Sequence, residues 1–256
     1  MSEYYNPQRV KNLYQPGAEK PFRLSRSKID LFIDCCRCFY LDRRLGIGRP
    51  PGYPFSLNSA VDALLKKEFD RHRTNGTKHW LCDENGIDAV PFQHEMIDDW
   101  RDSLHKGIAY VDPTTNLLIT GGVDDVWVRP NGELIIVDYK ATSKNGEVSL
   151  DADWQDGYRR QMEVYQWLFR KNGFQVSDIG YFVYCNGKTD PERFDGKLEF
   201  DIKLLPYTGN TDWIEPTLVK AKACLDADEL PESSADCDFC AYFDQRANKT
   251  MPVTAY

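Results

Sequence analysis

No stretch of about 18 consecutive apolar residues occurs in this 256-residue chain, which argues against a membrane-spanning helix. The first ten residues, MSEYYNPQRV, lack the apolar run of a secretory signal, so a cytoplasmic location is the expectation. Internal repeats and low-complexity segments are missing too. Basic residues are outnumbered, 32 against 40, and the net charge of −8 argues against a polyanionic partner on totals alone. The deficit is uneven. Residues 1–80 hold 15 Lys/Arg and 8 Asp/Glu, whereas the remaining 176 residues hold 17 and 32. Such asymmetry fits either a polyanion-facing region or a chance excess on a solvated surface. Cysteine is not scarce. Eight cysteines in a chain read as cytosolic favour thiols or metal ligation over disulfides.

Residues 1–20 are polar and proline-bearing and read as a loose arm. LSRSKIDLFIDCCRCFYLDRRLGI predicts a helix capped by Ser25 or Ser27 and interrupted around its cysteines. GRPPGYPF is a loop. SLNSAVDALLKKEFDRHR predicts a helix with Val61, Leu64, Leu65 and Phe69 on one face, and PFQHEMIDDWRDSLHKGI predicts another. A hairpin follows, then a helix in DADWQDGYRRQMEVYQWLFRKNG. Strands in DIGYFVYCN and KLEFDIKLLPY and a helix in TDWIEPTLVKAKACLDADEL complete the pattern. This order suggests an α/β fold of the α+β kind, a mixed sheet with helices packed on it.

The hairpin, GGVDDVWVRPNGELIIVDYKAT, carries charges where a strand should be apolar. Residues two apart on a strand share a side, so Asp138 and Lys140 project together with Tyr139 opposite. Carboxylates brought together beside apolar residues repel unless a cation satisfies them. With a neighbouring ammonium, such a pair suits metal-assisted phosphodiester hydrolysis. The alternative is a hairpin with solvated edge charges. A two-residue Asn131-Gly132 loop would set Asp125 opposite Asp138, and a three-residue loop or a bulge would set Asp124 there. Spacing alone leaves both open. In the following helix Gln161 and Tyr165, at i and i+4, share a face, and Tyr165 reads equally as a core residue.

Cys35-x-x-Cys38 and Cys237-x-x-Cys240 form two pairs nearly 200 residues apart. They read as four soft ligands of one centre, zinc or [4Fe–4S]. The alternative leaves all eight cysteines unligated. Cys82 and Cys185 read as ordinary thiols. Arg37, Arg43, Arg44, Arg49, Lys66, Lys67, Arg71 and Arg73 are the candidate phosphate-contacting residues. Tyr40, Tyr53 and Phe55 are candidates for base stacking or for core packing.

Gly121-Gly122-Val123-Asp124, then Asp138-Tyr139-Lys140, then Gln161 with Tyr165 resembles the RecB-like branch of the PD-(D/E)xK nuclease superfamily, which includes CRISPR-associated RecB-like exonucleases and the nuclease domains of helicase–nucleases. The resemblance covers roughly residues 25–245. It implies a restriction-endonuclease-like core in one domain over residues 21–250, with the catalytic part about 58–205. It implies Mg²⁺ or Mn²⁺ on Asp124, Asp138 and the main-chain carbonyl of Tyr139. Lys140 would serve the attacking water, supported by Gln161 and Tyr165, and Asp124 rather than Asp125 would face Asp138. The histidine usual in the family's preceding helix is missing, and Asp62 stands about where it would fall, a candidate ligand, with Glu68 a weaker one and His72 read as exposed. The resemblance also implies a cysteine cluster joining the chain ends. CCRCFYL matches the first cysteine segment with Cys36 in place of proline, and the C-terminal set is one cysteine short, so Cys38 would complete it, with Cys224 the lesser candidate. On this ground [4Fe–4S] is preferred and zinc is the alternative. The implied function is a metal-dependent exonuclease on single-stranded or end-containing DNA, with protein partners in DNA repair, phage replication or CRISPR adaptation. The rival readings are a non-catalytic nucleic-acid-binding scaffold and a zinc-ribbon interaction protein.

Overall fold

A computed structural model of the chain describes residues 9–50, 52 and 56–248. Its first elements are β1 (Phe22–Ser25), α1 (Arg26–Asp34), α2 (Cys36–Arg43) and α3 (Ser56–Asn75). Next come α4 (Trp80–Glu84), β2 (Val90–Pro91), α5 (Ile97–Arg101), β3 (Ile108–Asp112) and β4 (Leu117–Gly121). Then follow β5 (Asp125–Val128), β6 (Leu134–Thr142), α6 (Asp156–Lys171), β7 (Ile179–Gly187) and β8 (Phe200–Thr208). The last two are α7 (Ile214–Asp226) and α8 (Asp238–Asn248). One sheet has the order β2-β5-β6-β7-β8 and a second the order β1-β4-β3. The expected mixed sheet with flanking helices is present. Among the described residues no helix is long and apolar enough to cross a membrane.

Two compact units emerge. One comprises Met1–Gly52, Val111–Leu118 and Ile214–Tyr256, the other Tyr53–Tyr110 and Ile119–Trp213.

In the second unit β6 is central, antiparallel to β5 and parallel to β7. Its apolar LIIV run is buried because both faces are covered. Ile135, Val137 and Tyr139 pack in one cluster with Leu65 and Phe69 of α3. On the opposite face Asp138 and Lys140 meet Gln161 of α6. The α3 expectation holds for Leu65 and Phe69 and fails for Leu64, which is largely exposed. The helix expected in PFQHEMIDDWRDSLHKGI shrinks to Ile97–Arg101. There the Asp102 carboxylate accepts the N–H groups of Leu104 and His105, a local alternative that ends the helix. The β3–β4 hairpin, α4 and α8 were not anticipated.

The β5–β6 loop settles the register. Val128 pairs with Leu134, and Arg129 N–H donates to Glu133 O at 2.9 Å. Gly132 N–H closes on Arg129 O at 2.9 Å with φ +85°, giving a three-residue loop, Pro130 to Gly132. Asp125 therefore pairs with Val137, and the same register continued sets Asp124 against Asp138.

In the first unit α1 ends at Cys35, whose extended backbone (φ −163°) breaks the helix, as expected near the cysteines. Cys35 then caps α2, its sulfur accepting the Cys38 N–H at 3.5 Å. Residues 9–20 are anchored: Tyr14 is buried with its hydroxyl on Asp226 at 2.5 Å, and Arg9 pairs with Asp42 at 2.7 Å. Asp42 is itself buried and also meets Lys28 and Arg43.

Candidate functional site

The second unit brings Asp124, Asp138, Lys140, Gln161 and Tyr165 to one place. Opposed residues in a ladder share a face, so Asp124 falls on the Asp138 side and Asp125 on the Val137 side. Asp124 Oδ2 accepts the main-chain N–H of Tyr139 at 2.9 Å. Asp138 is fully buried. Its Oδ1 accepts from Gln161 Nε2 at 2.7 Å, while Oδ2 has no hydrogen bond and lies against the Lys140 ammonium as an ion pair. Gln161 Nε2 lies 3.2 Å from the Tyr165 hydroxyl, and its Oε1 accepts from Lys140 Nζ at 3.3 Å.

The two glycines of the motif are required by close approach. A Cβ on Gly121 would stand 2.6 Å from the Tyr165 ring, and one on Gly122 would stand 2.4 Å from Ser103. Tyr165 thus packs directly on the motif backbone as well as reaching Gln161.

Asp124, Tyr139 and Lys140 line a cleft of about 430 Å³ with Asn58, Ser59, Val61, Asp62, Ala141 and Tyr158. Lys66 Nζ bridges 2.9 Å to Asp62 and 3.7 Å to Asp124. The Lys140 ammonium sits 4.5 Å over the Tyr158 ring, a cation–π contact. Burial, and next the charge of Asp138, push the Asp124 carboxyl up to about 6, against the pull of Lys140, Lys66 and the Tyr139 N–H. Two carboxylates in repulsion, one with a buried oxygen lacking a hydrogen bond, are a donor set suited to a hard divalent cation. Asp62 lines the cleft and meets Asp124 through Lys66; Glu68 is turned away onto His79 at 2.8 Å. His72 lies near Thr77 and lines a separate cleft with Lys67 and Arg71.

In the first unit Cys35, Cys38, Cys237 and Cys240 are buried with all four sulfurs within 4.8 Å of one another. The separations are 3.8 Å for Cys35–Cys240, 3.6 Å for Cys38–Cys237 and 3.7 Å for Cys38–Cys240. Burial raises the Cys35 thiol, but the N–H groups of Cys38 and Ser234 and the thiols of Cys237 and Cys38 outweigh it and hold it at about 6. Four close, buried, unbridged thiols fit a thiophilic metal. Cys36 and Cys224 stand outside this group, and burial pushes the Cys82 and Cys185 thiols up to about 12 and about 11.

The expected basic surface is mostly engaged inside the protein. Arg43 is buried against Asp42, and Arg73 is buried against Asp125 and Asp70, so neither lies on a phosphate-contacting surface. Arg37 donates to Pro231 O at 2.9 Å and meets Glu232; Arg44 meets Asp228. Arg49 donates to Cys237 Sγ at 3.4 Å and lies over the Phe239 ring. Lys66 is paired with the cleft carboxylates Asp62 and Asp124, and Lys67 and Arg71 line the separate cleft on α3. Tyr40 is buried with its hydroxyl on Ala227 O. Tyr53 and Phe55 lie outside the described residues.

Sequence reasoning missed Tyr158, Asn58 and Arg101, and gave Arg73 a place on the phosphate-contacting surface where the structure has it paired with Asp125 and Asp70. Tyr158 had a signal: it stands at i−3 from Gln161, on the same helical face.

Comparison with known proteins gives one family match: the model of the PD-(D/E)XK nuclease superfamily matches residues 23–245. No curated protein sequence matches the chain. A crystal structure of SSO0001 aligns over 84% of this chain and 81% of that one, with 13% identity and a TM-score of 0.40. That likeness is too weak to carry an argument.

Proposed function

The chain belongs to the PD-(D/E)XK nuclease superfamily, and from this premise we propose that it is a metal-dependent deoxyribonuclease acting on single-stranded or end-containing DNA. The observation that carries the reading is the convergence of Asp138, Lys140 and Gln161 with Asp124, of which Asp124 and Lys140 line one cleft and Asp138 lies buried behind it. Asp124 and Asp138 would hold Mg²⁺ or Mn²⁺. The Tyr139 carbonyl is the natural third protein ligand. A residue's N–H and C=O face the same strand edge, and its N–H points at Asp124. When bound, the metal supplies Lewis acidity and a water of lowered pKa. Lys140 would orient the attacking water and offset charge developing on the phosphate. Gln161 holds Asp138 and Lys140 together, and Tyr165 holds Gln161. Tyr158 offers an aromatic face in the cleft on which an unpaired base can stack. We take residues 21–250 as the nuclease domain and 58–205 as its catalytic part.

At the cysteines we favour a single zinc ion over [4Fe–4S]. A tetrahedral ion with thiolates at about 2.3 Å sets its sulfurs about 3.8 Å apart. Three of the six separations, at 3.6 to 3.8 Å, support that spacing, and all six lie within 4.8 Å. A cluster binds each thiolate to a different iron and spreads the sulfurs farther.

The test is purified protein with Mn²⁺ and end-labelled DNA in linear single-stranded, linear duplex and circular single-stranded forms. Cleavage of linear single strands above the other two is expected. Absence of cleavage of every form would sink the proposal.

A further inference from the structure

The second aspartate of the GGVDD motif has no place in the reaction, yet it is held by four hydrogen bonds. Asp125 is fully buried. Its Oδ1 accepts from Arg73 Nη2 at 2.5 Å, from Arg101 Nη2 at 3.1 Å and from the Val126 N–H at 2.8 Å. Its Oδ2 accepts the Tyr139 hydroxyl at 2.8 Å. Each arginine is used further. Arg73 donates to Phe92 O at 2.7 Å and to Asp70 at 3.1 Å. Arg101 donates to Asp70 at 2.8 Å and, through Nε, to the main-chain carbonyl of Asp124 at 3.1 Å.

Two arginines and two aspartates balance in formal charge, but a buried ionic network of this kind is seldom more stable than an apolar core of equal volume. Conformational definition is the better explanation, and the contacts say what is defined. Tyr139 lies between Asp138 and Lys140. Its N–H is fixed by Asp124 and its hydroxyl by Asp125, so two adjacent residues at the start of β5 grip it at both ends, Asp124 just before the strand and Asp125 its first residue. Arg101 holds those same two residues, one by side chain and one by main chain. We propose that Asp125, Arg73, Arg101 and the Tyr139 hydroxyl form a buried clamp that positions Asp124 relative to Asp138 and Lys140. These are positioning residues; none reaches the reacting atoms. The proposal rests on the divalent-metal reading of Asp124 and Asp138.

The test is Mn²⁺ affinity, read from the electron paramagnetic resonance signal of free Mn²⁺, beside thermal melting of each variant. Outer partners of metal ligands typically affect affinity by 10–100-fold. Tyr139→Phe removes a single hydroxyl and Arg101→Met removes the grip on Asp124. Each is expected to weaken Mn²⁺ binding about tenfold or more in protein that still melts cooperatively. Arg101→Lys keeps the charge but lacks the planar fork that reaches three acceptors, so it is not expected to restore affinity. Lower melting temperatures with wild-type Mn²⁺ affinity would reduce the clamp to a structural role and overturn the proposal. Should Arg101→Met not fold, Tyr139→Phe carries the same decision. A wild-type protein that binds no Mn²⁺ would overturn the metal reading and the clamp with it, whereas wild-type binding matched by the variants would overturn the clamp alone.

Discussion

Burial beside Asp138 gives Asp124 a pH signature. The Asp124 carboxyl sits at about 6, raised by burial and by Asp138, whereas an unperturbed aspartate titrates near 3.9. A raised carboxyl pKa means that the fold favours the protonated form. In metal-free protein this contribution is fully present below about pH 4 and is lost as pH rises through about 6. Mn²⁺ binding needs the ionised form, so affinity should rise with pH to about 6 and then level off. Melting curves of metal-free wild type and Asp124→Asn across this range check the point. The variant should lose the slope, and equal slopes would contradict it. Tyr158 yields a second expectation. Its ring lies under the Lys140 ammonium, a contact worth about 0.5–2 kcal/mol. Tyr158→Phe should retain most of the cleavage rate and Tyr158→Leu should lose several-fold. Equal rates would remove the ring from the account. These residues differ in how plainly the sequence announced them. Asp124, Asp138, Lys140, Gln161 and Tyr165 stand in local patterns of strand and helix. Arg73 and Arg101 reach Asp125 from 52 and 24 residues away, and no local pattern marks a side chain that folds back to a buried charge.

The hairpin and the helix behind it decide where those side chains point. The β6 strand is apolar on both faces because α3 covers one and α6 the other, so the alternation in Asp138-Tyr139-Lys140 is imposed on a rigid, buried element. The loop sets the register, since Gly132 at φ +85° closes a three-residue turn. A two-residue turn had been equally compatible with the Asn131-Gly132 sequence. Close packing tests this arrangement best at Gly121. Gly121→Ala places a Cβ 2.6 Å from the Tyr165 ring. The change should cost about 1–3 kcal/mol and lower activity by displacing Tyr165 and Gln161. A denaturation midpoint and rate equal to wild type would show that the ring is free to move. Elsewhere local competition defeated the reading of elements. The segment after Pro91 has helical periodicity, but the Asp102 side chain takes the N–H groups that a continuing helix would use.

Charge and cysteine shape the molecule as a whole. The basic N-terminal and acidic C-terminal stretches, which suggested a polyanion-facing region, partly satisfy one another within the first unit. Arg37 meets Glu232, Arg44 meets Asp228, and Tyr14 donates to Asp226. Composition cannot distinguish such pairing from a surface awaiting phosphate. Exposed pairs of this kind contribute little stability. The cysteines were legible as one group of four because of the two CxxC spacings in the sequence; the distances between their sulfurs needed the fold. A single zinc predicts colourless protein with one equivalent of zinc by elemental analysis, also when purified without oxygen. Cys38→Ser should lose the metal and much of the first unit's stability. A brown sample carrying iron would favour the cluster. The nuclease reading itself stands on one comparison: the rate of Mn²⁺-dependent cleavage of linear single-stranded DNA by the wild type and by Lys140→Ala. The account predicts cleavage by the wild type and a loss of about 100-fold or more in the variant. Cleavage unchanged by the loss of Lys140 would contradict it.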